Sequence, residues 1–266
     1  MSKIITSENI DEVIKENLKI RSEIQRIIND LVSRVNKQDI KGEEKLAFKI
    51  LKDNNLIQLP IDDEHWGGAV VIKNNKRIPV INTAQPRVYQ YFIAWHEVYH
   101  LLYDDNLKSS KENILIDLDL NERKADCFAA TMMLGNVYEY YMSLSDDNFI
   151  DKIIRCMDLY KAPYKVILIN LYESAVNVYN NSKLKKDILN NFDNKPNNLV
   201  EKFEELELDS ELVKPSYVVS MGGLERVMKN KIKENPEVSY HSSNYEFLQK
   251  LKNEVNQIKK GLTSKV

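Results

Sequence analysis

Three residues that could do chemistry together, His96, Glu97 and His100, stand in the run Trp95-His96-Glu97-Val98-Tyr99-His100. Residues four apart share one face of a helix, so the two imidazoles can hold one metal ion with Glu97 beside it. Neutral imidazole is a good zinc ligand, and a catalytic zinc usually takes three protein ligands and keeps a fourth place for water. Zinc brings the pKa of that water towards about 7, after which a neighbouring carboxylate can take its proton as hydroxide attacks a polarised carbonyl. Glu97 is placed for that task. The third ligand has to come from a second element, and Asn121-Glu122-Arg123-Lys124-Ala125-Asp126 offers one. Glu122 opens a run that reads as a helix through Leu134, with Asp126 one turn further along the same face. A ligating His usually gives its other ring N–H to a carboxylate or carbonyl, and Asp126 is the candidate for that role.

Two longer runs carry a resemblance. The stretch Arg87-Val88-Tyr89-Gln90-Tyr91-Phe92-Ile93-Ala94-Trp95-His96-Glu97-Val98-Tyr99-His100-Leu101-Leu102, followed by Glu122-Arg123-Lys124-Ala125-Asp126-Cys127-Phe128-Ala129-Ala130, resembles the ImmA/IrrE family of metallopeptidases. In that family an arginine-led helix ends in His-Glu-Leu-Gly-His, and a Glu-x-Glu-Ala-Asn-x-Phe-Ala-Ala helix follows. The resemblance runs from Lys41 to Ser174 and implies a zincin-like α+β core, mostly helical with a small β-sheet. It implies one zinc ion held by His96, His100 and Glu122 in a gluzincin-like His-Glu-x-x-His site, with Glu97 activating the water. Asp126 stands where the family often has Asn. Relatives often act on helix-turn-helix transcriptional repressors in mobile-element or stress control, so the resemblance implies a zinc endopeptidase with a DNA-binding repressor as its protein substrate. Tyr99 replaces the small residue usual before the second His, Lys124 replaces the second glutamate, and Gly135 replaces a closing proline. These departures leave the ligands in place and alter the cleft beside them. The competing expectation is a metal-binding regulatory or toxin-like interaction protein on the same fold that does not cleave.

Peptide hydrolysis also needs a donor for the developing oxyanion close to the metal. Tyr99, Tyr103, His65 and His241 are the four candidates, and the sequence does not choose among them.

Composition bounds the partners. The chain has 266 residues, 43% of them hydrophobic, enough for a substantial core, and its net charge is −2 from 38 basic and 40 acidic residues. No global field recruits nucleic acid or an anionic membrane. The start turns acidic before any long apolar run, so neither export nor a membrane span is predicted, and the expected compartment is the cytoplasm. The 2 cysteines, Cys127 and Cys156, read as free thiols in a reducing compartment. With 7 glycines and no nucleotide signature, nucleotide chemistry is disfavoured.

The elements that must position the motif follow from periodicity. Ser7 to Asn36 reads as an amphipathic helix capped by Ser7, its apolar stripe interrupted by Asn17, packing on the protein's own core in preference to a dimer seam. A shorter helix spans Gly42 to Asp53, and Leu56 to Leu59 reads as a strand. Ala69-Lys73 and Arg77-Asn82 flank Asn74-Asn75-Lys76 as a hairpin, with Pro79 demoting its strand to an edge or irregular position; the sheet's edge could add an extended peptide as a further strand. The metal-bearing helix starts at Pro86 and ends by Tyr103, and Leu107 to Leu120 is expected to border the cleft. The tyrosine-rich run Tyr138-Glu139-Tyr140-Tyr141-Met142 reads as core or groove lining. Phe149–Tyr160 and Pro163–Tyr172 form a helix pair, and the polar stretch Asn180 to Asn198 reads as a boundary or mobile connection. Two further helices are predicted, at Leu199–Leu208 and at Ser243–Lys260, the latter opened by a Ser243/Glu246 capping box. The expected division is an N-terminal helical extension over residues 1–40, a metallopeptidase domain over 41–180 and a mostly helical C-terminal extension over 181–266.

Overall fold

A computed structural model describes residues 4–35, 42–104, 120–145 and 148–263. The N-terminal apolar stripe becomes one long helix, α1 (Ile10–Arg34), which buries Ile10, Val13, Ile14, Ile20, Ile24, Ile28 and Leu31 together with Asn17. It begins later than Ser7, because the Asn9 side chain accepts from the Thr6 N–H and donates to the Ile4 carbonyl, fixing the entry turn. Helix α2 (Glu43–Asp53) leads into a three-stranded sheet: β1 (Ile57–Leu59), β2 (Gly68–Lys73) and β3 (Lys76–Asn82). Asn74 and Asn75 both take positive φ, 51° and 59°, which suits the tight turn between the antiparallel strands β2 and β3.

The strand order is β1-β3-β2, with β1 parallel to β3. Pro79, expected at an edge, therefore sits in the central strand. On β3, strand β1 pairs with Val80, Ile81 and Asn82, so no β1 residue stands opposite the proline and no ladder bond is lost on that side. The outer side of β1 is covered by the later chain: Gln58 and Ser220 exchange two backbone hydrogen bonds of 2.8 Å. Among the described residues, nothing pairs with the outer edge of β2.

Helix α3 (Arg87–Leu102) follows Pro86, and α4 (Leu120–Met133) packs along it. Then come α5 (Val137–Ser143), α6 (Phe149–Tyr160), α7 (Tyr164–Asn177), α8 (Ser182–Asn191), α9 (Leu199–Glu205) and a 3-10 turn at Ser210–Val213. One apolar core runs from α1 through Trp95, Phe128, Ile153 and Leu168 to Val213. The polar stretch expected to be a boundary contains α8. Asn181 caps it by accepting from the Leu184 N–H, and Leu184, Ile188 and Phe192 are buried, so the Asn and Lys residues mostly make up its outer faces. Tyr138 and Tyr141 are buried, Tyr138 stacked on Tyr179 with ring centroids 3.8 Å apart.

The chain ends its described part in a helical hairpin, α10 (Leu224–Glu234) and α11 (Ser239–Thr263). Helix α11 starts ahead of the expected Ser243, whose hydroxyl instead donates back to the Ser239 carbonyl inside the helix. The expected cleft border at Leu107–Leu120 lies outside the described residues except for Leu120, which opens α4. Eleven α-helices and one mixed sheet among the described residues make the fold α+β and mostly helical. No described helix is long and apolar enough to cross a membrane.

Candidate metal centre

Helix α3 is largely buried, and its two functional faces have different neighbours. His96 and His100 face α4, where one ligand atom from each and one from Glu122 lie within 4.8 Å of one another. The two Nε2 atoms are 3.1 Å apart, with Glu122 Oε2 at 3.1 Å from His96 Nε2 and Oε1 at 3.4 Å from His100 Nε2. Each ring turns its other nitrogen to a carboxylate. His96 Nδ1 lies 2.9 Å from Asp126 Oδ1, and His100 Nδ1 lies 2.9 Å from Asp104 Oδ2.

These contacts fix the chemistry of the cluster. A carboxylate only accepts, so each Nδ1 carries a proton; a ring that is neutral then presents its Nε2 lone pair towards the other ring and Glu122, and a protonated ring donates from Nε2 to Glu122. Converging lone pairs and a carboxylate in a buried place call for a cation. A divalent ion with a preference for imidazole and carboxylate fits that donor set, and the cluster could hold one. Protons answer the same need. Burial alone would lower the His96 pKa, but hydrogen bonds to Asp126 and Glu122 hold it well above the ordinary imidazole range. His100 is raised in the same way, chiefly by Glu122 acting against burial. Burial pushes Glu122 upward, yet its bonds with His100 and His96 leave it far below the usual carboxylate range.

Glu97 takes a different face of α3, against β2. It is 3% exposed, its Oε2 has no hydrogen-bond partner among the described residues, and burial raises its pKa to about 7. A carboxylate in that state costs free energy unless something docks against it. The close approach of β2 depends on Gly68, where a Cβ would stand 2.7 Å from Ile93 Cγ2, 2.8 Å from the Val80 carbonyl oxygen and 3.1 Å from Glu97 Oε1. A cleft of about 690 Å³ opens along this side, between β2 and helices α1, α4 and α7, and His96, Glu97, His100 and Glu122 line it.

Of the four oxyanion candidates, His65 alone lines the cleft, on its exposed rim beside Glu64. Tyr99 turns into the core, its ring 5.9 Å from that of Phe128 and 6.5 Å from that of Tyr103. The Tyr103 hydroxyl donates to Asp30 Oδ2 at 3.3 Å, and burial together with that carboxylate pushes its pKa up to about 12. His241 lies on α11 against Tyr240, away from the cleft lining. Cys127 and Cys156 are free thiols, as read from the sequence.

Sequence reading missed three supporting residues. Asp104 follows His100 by four positions, a spacing that puts it on the same helical face. Arg77 on β3 caps the end of α3, donating to the carbonyls of His100 at 3.1 Å, Leu101 at 2.9 Å and Asp104 at 2.8 Å. Arg123, 4% exposed, donates to Asp126 Oδ2 at 2.9 Å. Among known proteins, no family model, no curated sequence and no solved structure matches the chain.

Proposed function

We propose that the protein is a zinc-dependent endopeptidase of the cytoplasm that hydrolyses a peptide bond in a protein partner. The observation that carries this reading is Glu97: a buried carboxylate with one oxygen that has no partner among the described residues, beside a His-His-Glu cluster and facing a cleft. His96, His100 and Glu122 would hold the ion, which when bound supplies an acidified water and polarises a carbonyl. Glu97 takes the proton from the water at a carboxylate oxygen and passes it to the departing amide nitrogen. Burial serves that exchange, since a raised pKa matches the carboxylate to a proton it must both accept and release. Asp126 and Asp104 hold the two imidazoles with their Nε2 atoms turned inward. The outer edge of β2, which pairs with nothing among the described residues, supports an extended peptide as the substrate, added as a fourth strand whose backbone bonds would position the scissile carbonyl.

The resemblance of the two motifs to the ImmA/IrrE metallopeptidases supports a helix-turn-helix repressor as the partner. Glu97→Gln tests the reading. It should keep zinc affinity within a few-fold and lower cleavage of a neighbouring encoded repressor by about 10²–10⁴-fold. Full biological activity in Glu97→Gln, with no cleavage by the unchanged protein, would favour a metal-binding interaction protein instead.

A further inference from the structure

Helix α1 lies outside the stretch that resembles the metallopeptidases, and its apolar stripe carries one polar interruption, Asn17, which is 6% exposed. We propose that Asn17 is a positioning residue of the metal centre, making α1 a working part of it. This rests on the reading of His96 as a ligand.

A buried guanidinium is costly unless its N–H groups find acceptors. Arg123 has two such acceptors: Nη1 donates to Asp126 Oδ2 at 2.9 Å and Nη2 donates to Asn17 Oδ1 at 3.1 Å. Asp126 is in turn held at both oxygens, by Arg123 and by the ring N–H of His96 at 2.9 Å. The order of contacts is Asn17, Arg123, Asp126, His96. Three helices are joined by it, with α1 supplying the outermost group. Arg123 Nε already has no acceptor among the described residues, so without the Asn17 carbonyl a second buried donor goes unanswered and the guanidinium is free to turn towards another acceptor. Asp126 then loses the contact that fixes its plane, and the His96 ring loses the alignment that aims Nε2 at Glu122. Two further contacts keep α1 seated: Glu23 pairs with Lys124 on α4 at 2.8 Å, and Arg21 pairs with Glu173 on α7. A leucine at position 17 would suit the apolar stripe better, so the asparagine is explained by what it holds.

The test is zinc affinity of the full chain, measured by competition with a chromogenic chelator, with circular dichroism as the check on folding. Asn17→Leu and Asn17→Ala are expected to bind zinc about tenfold more weakly, at the lower end of what loss of a ligand-orienting group does. Asn17→Asp keeps an acceptor for Arg123 and should stay within about threefold of the unchanged protein. In an Asp126→Ala background the Asn17→Leu change should cost less than about twofold, because the contact it acts through is gone. A folded Asn17→Leu with unchanged affinity, an equal loss in both backgrounds, or failure of both Asn17→Leu and Asn17→Ala to fold would assign Asn17 to packing and overturn the proposal. If the unchanged protein bound no zinc, the metal-centre reading would fall with it; unchanged affinity in the variants of a zinc-binding protein removes the Asn17 role alone.

Discussion

The metal centre and the α10–α11 hairpin treat charge in opposite ways. At the centre, His96, His100 and Arg123 are buried, and each meets a carboxylate or amide acceptor within 3.1 Å. In the hairpin, α10 buries no residue and Glu225 pairs with Lys229 at 2.9 Å and with Lys252 at 2.6 Å in contact with solvent. Apolar side chains follow the same division. Phe128 is 0% exposed between Trp95, Tyr99 and Tyr103, whereas Phe247 on α11 is 62% exposed. Buried charges are tolerated only in well-fitted geometry, so the centre's network fixes positions, while solvent-exposed pairs contribute little to stability. The difference separates the part of the chain that must hold a geometry from the part that can change without disturbing it.

The strongest way to break that contrast is Phe128→Ala, which should cost about 3–5 kcal/mol in urea unfolding, since the cavity would open beneath both metal-bearing helices. Next in size is Asp104→Ala. It should weaken zinc binding about 10–100-fold by freeing the His100 ring, and a loss confined to Asp126→Ala would show that Asp104 does no orienting.

The pH dependence of the chelator-treated protein sharpens the same picture. Glu97 ionises near 4.5 in the unfolded chain and near about 7 when folded, because burial disfavours its charge. Between those values the folded chain binds more protons, so stability falls as pH rises. His96 and His100, both raised, extend the fall above the ordinary imidazole value of 6.5. Glu122 acts in the other direction, and only as pH drops below its ordinary 4.5. Thermal melts in chelator should therefore show a falling melting temperature from about pH 5 to pH 8, and saturating zinc should flatten it, since metal takes the place of those protons. The smallest effect belongs to Phe247→Ala, within about 0.5 kcal/mol in the same unfolding assay. A large loss there would mean that the hairpin packs on something as firmly as the body does.

What could be read beforehand followed physical range. The His96, Glu97 and His100 cluster is a matter of helical period over five residues, and the convergence of Glu122 on it rests on a second short motif. Asp104 was within reach of the same period, but Asp104-Asn106 reads equally as the stop after α3. Tyr99 shows the limit of spacing alone. It is one residue from His100, yet the helix turns it towards Phe128 and away from the cleft. Pro79 misled because an edge is the usual place for proline, and the shortness of β1 has no local signal. The tie between Asn17 and Arg123 spans 106 positions, and its only trace in the sequence is an asparagine where an aliphatic residue was due.

The central claim is one cation shared by His96, His100 and Glu122, and zinc titration of the purified chain beside His96→Ala and Glu122→Ala tests it most directly. One tightly bound ion per chain is expected, lost in both variants while their circular dichroism stays that of the unchanged protein. Zinc bound equally well by His96→Ala, or no stoichiometric binding by the unchanged chain, would contradict it.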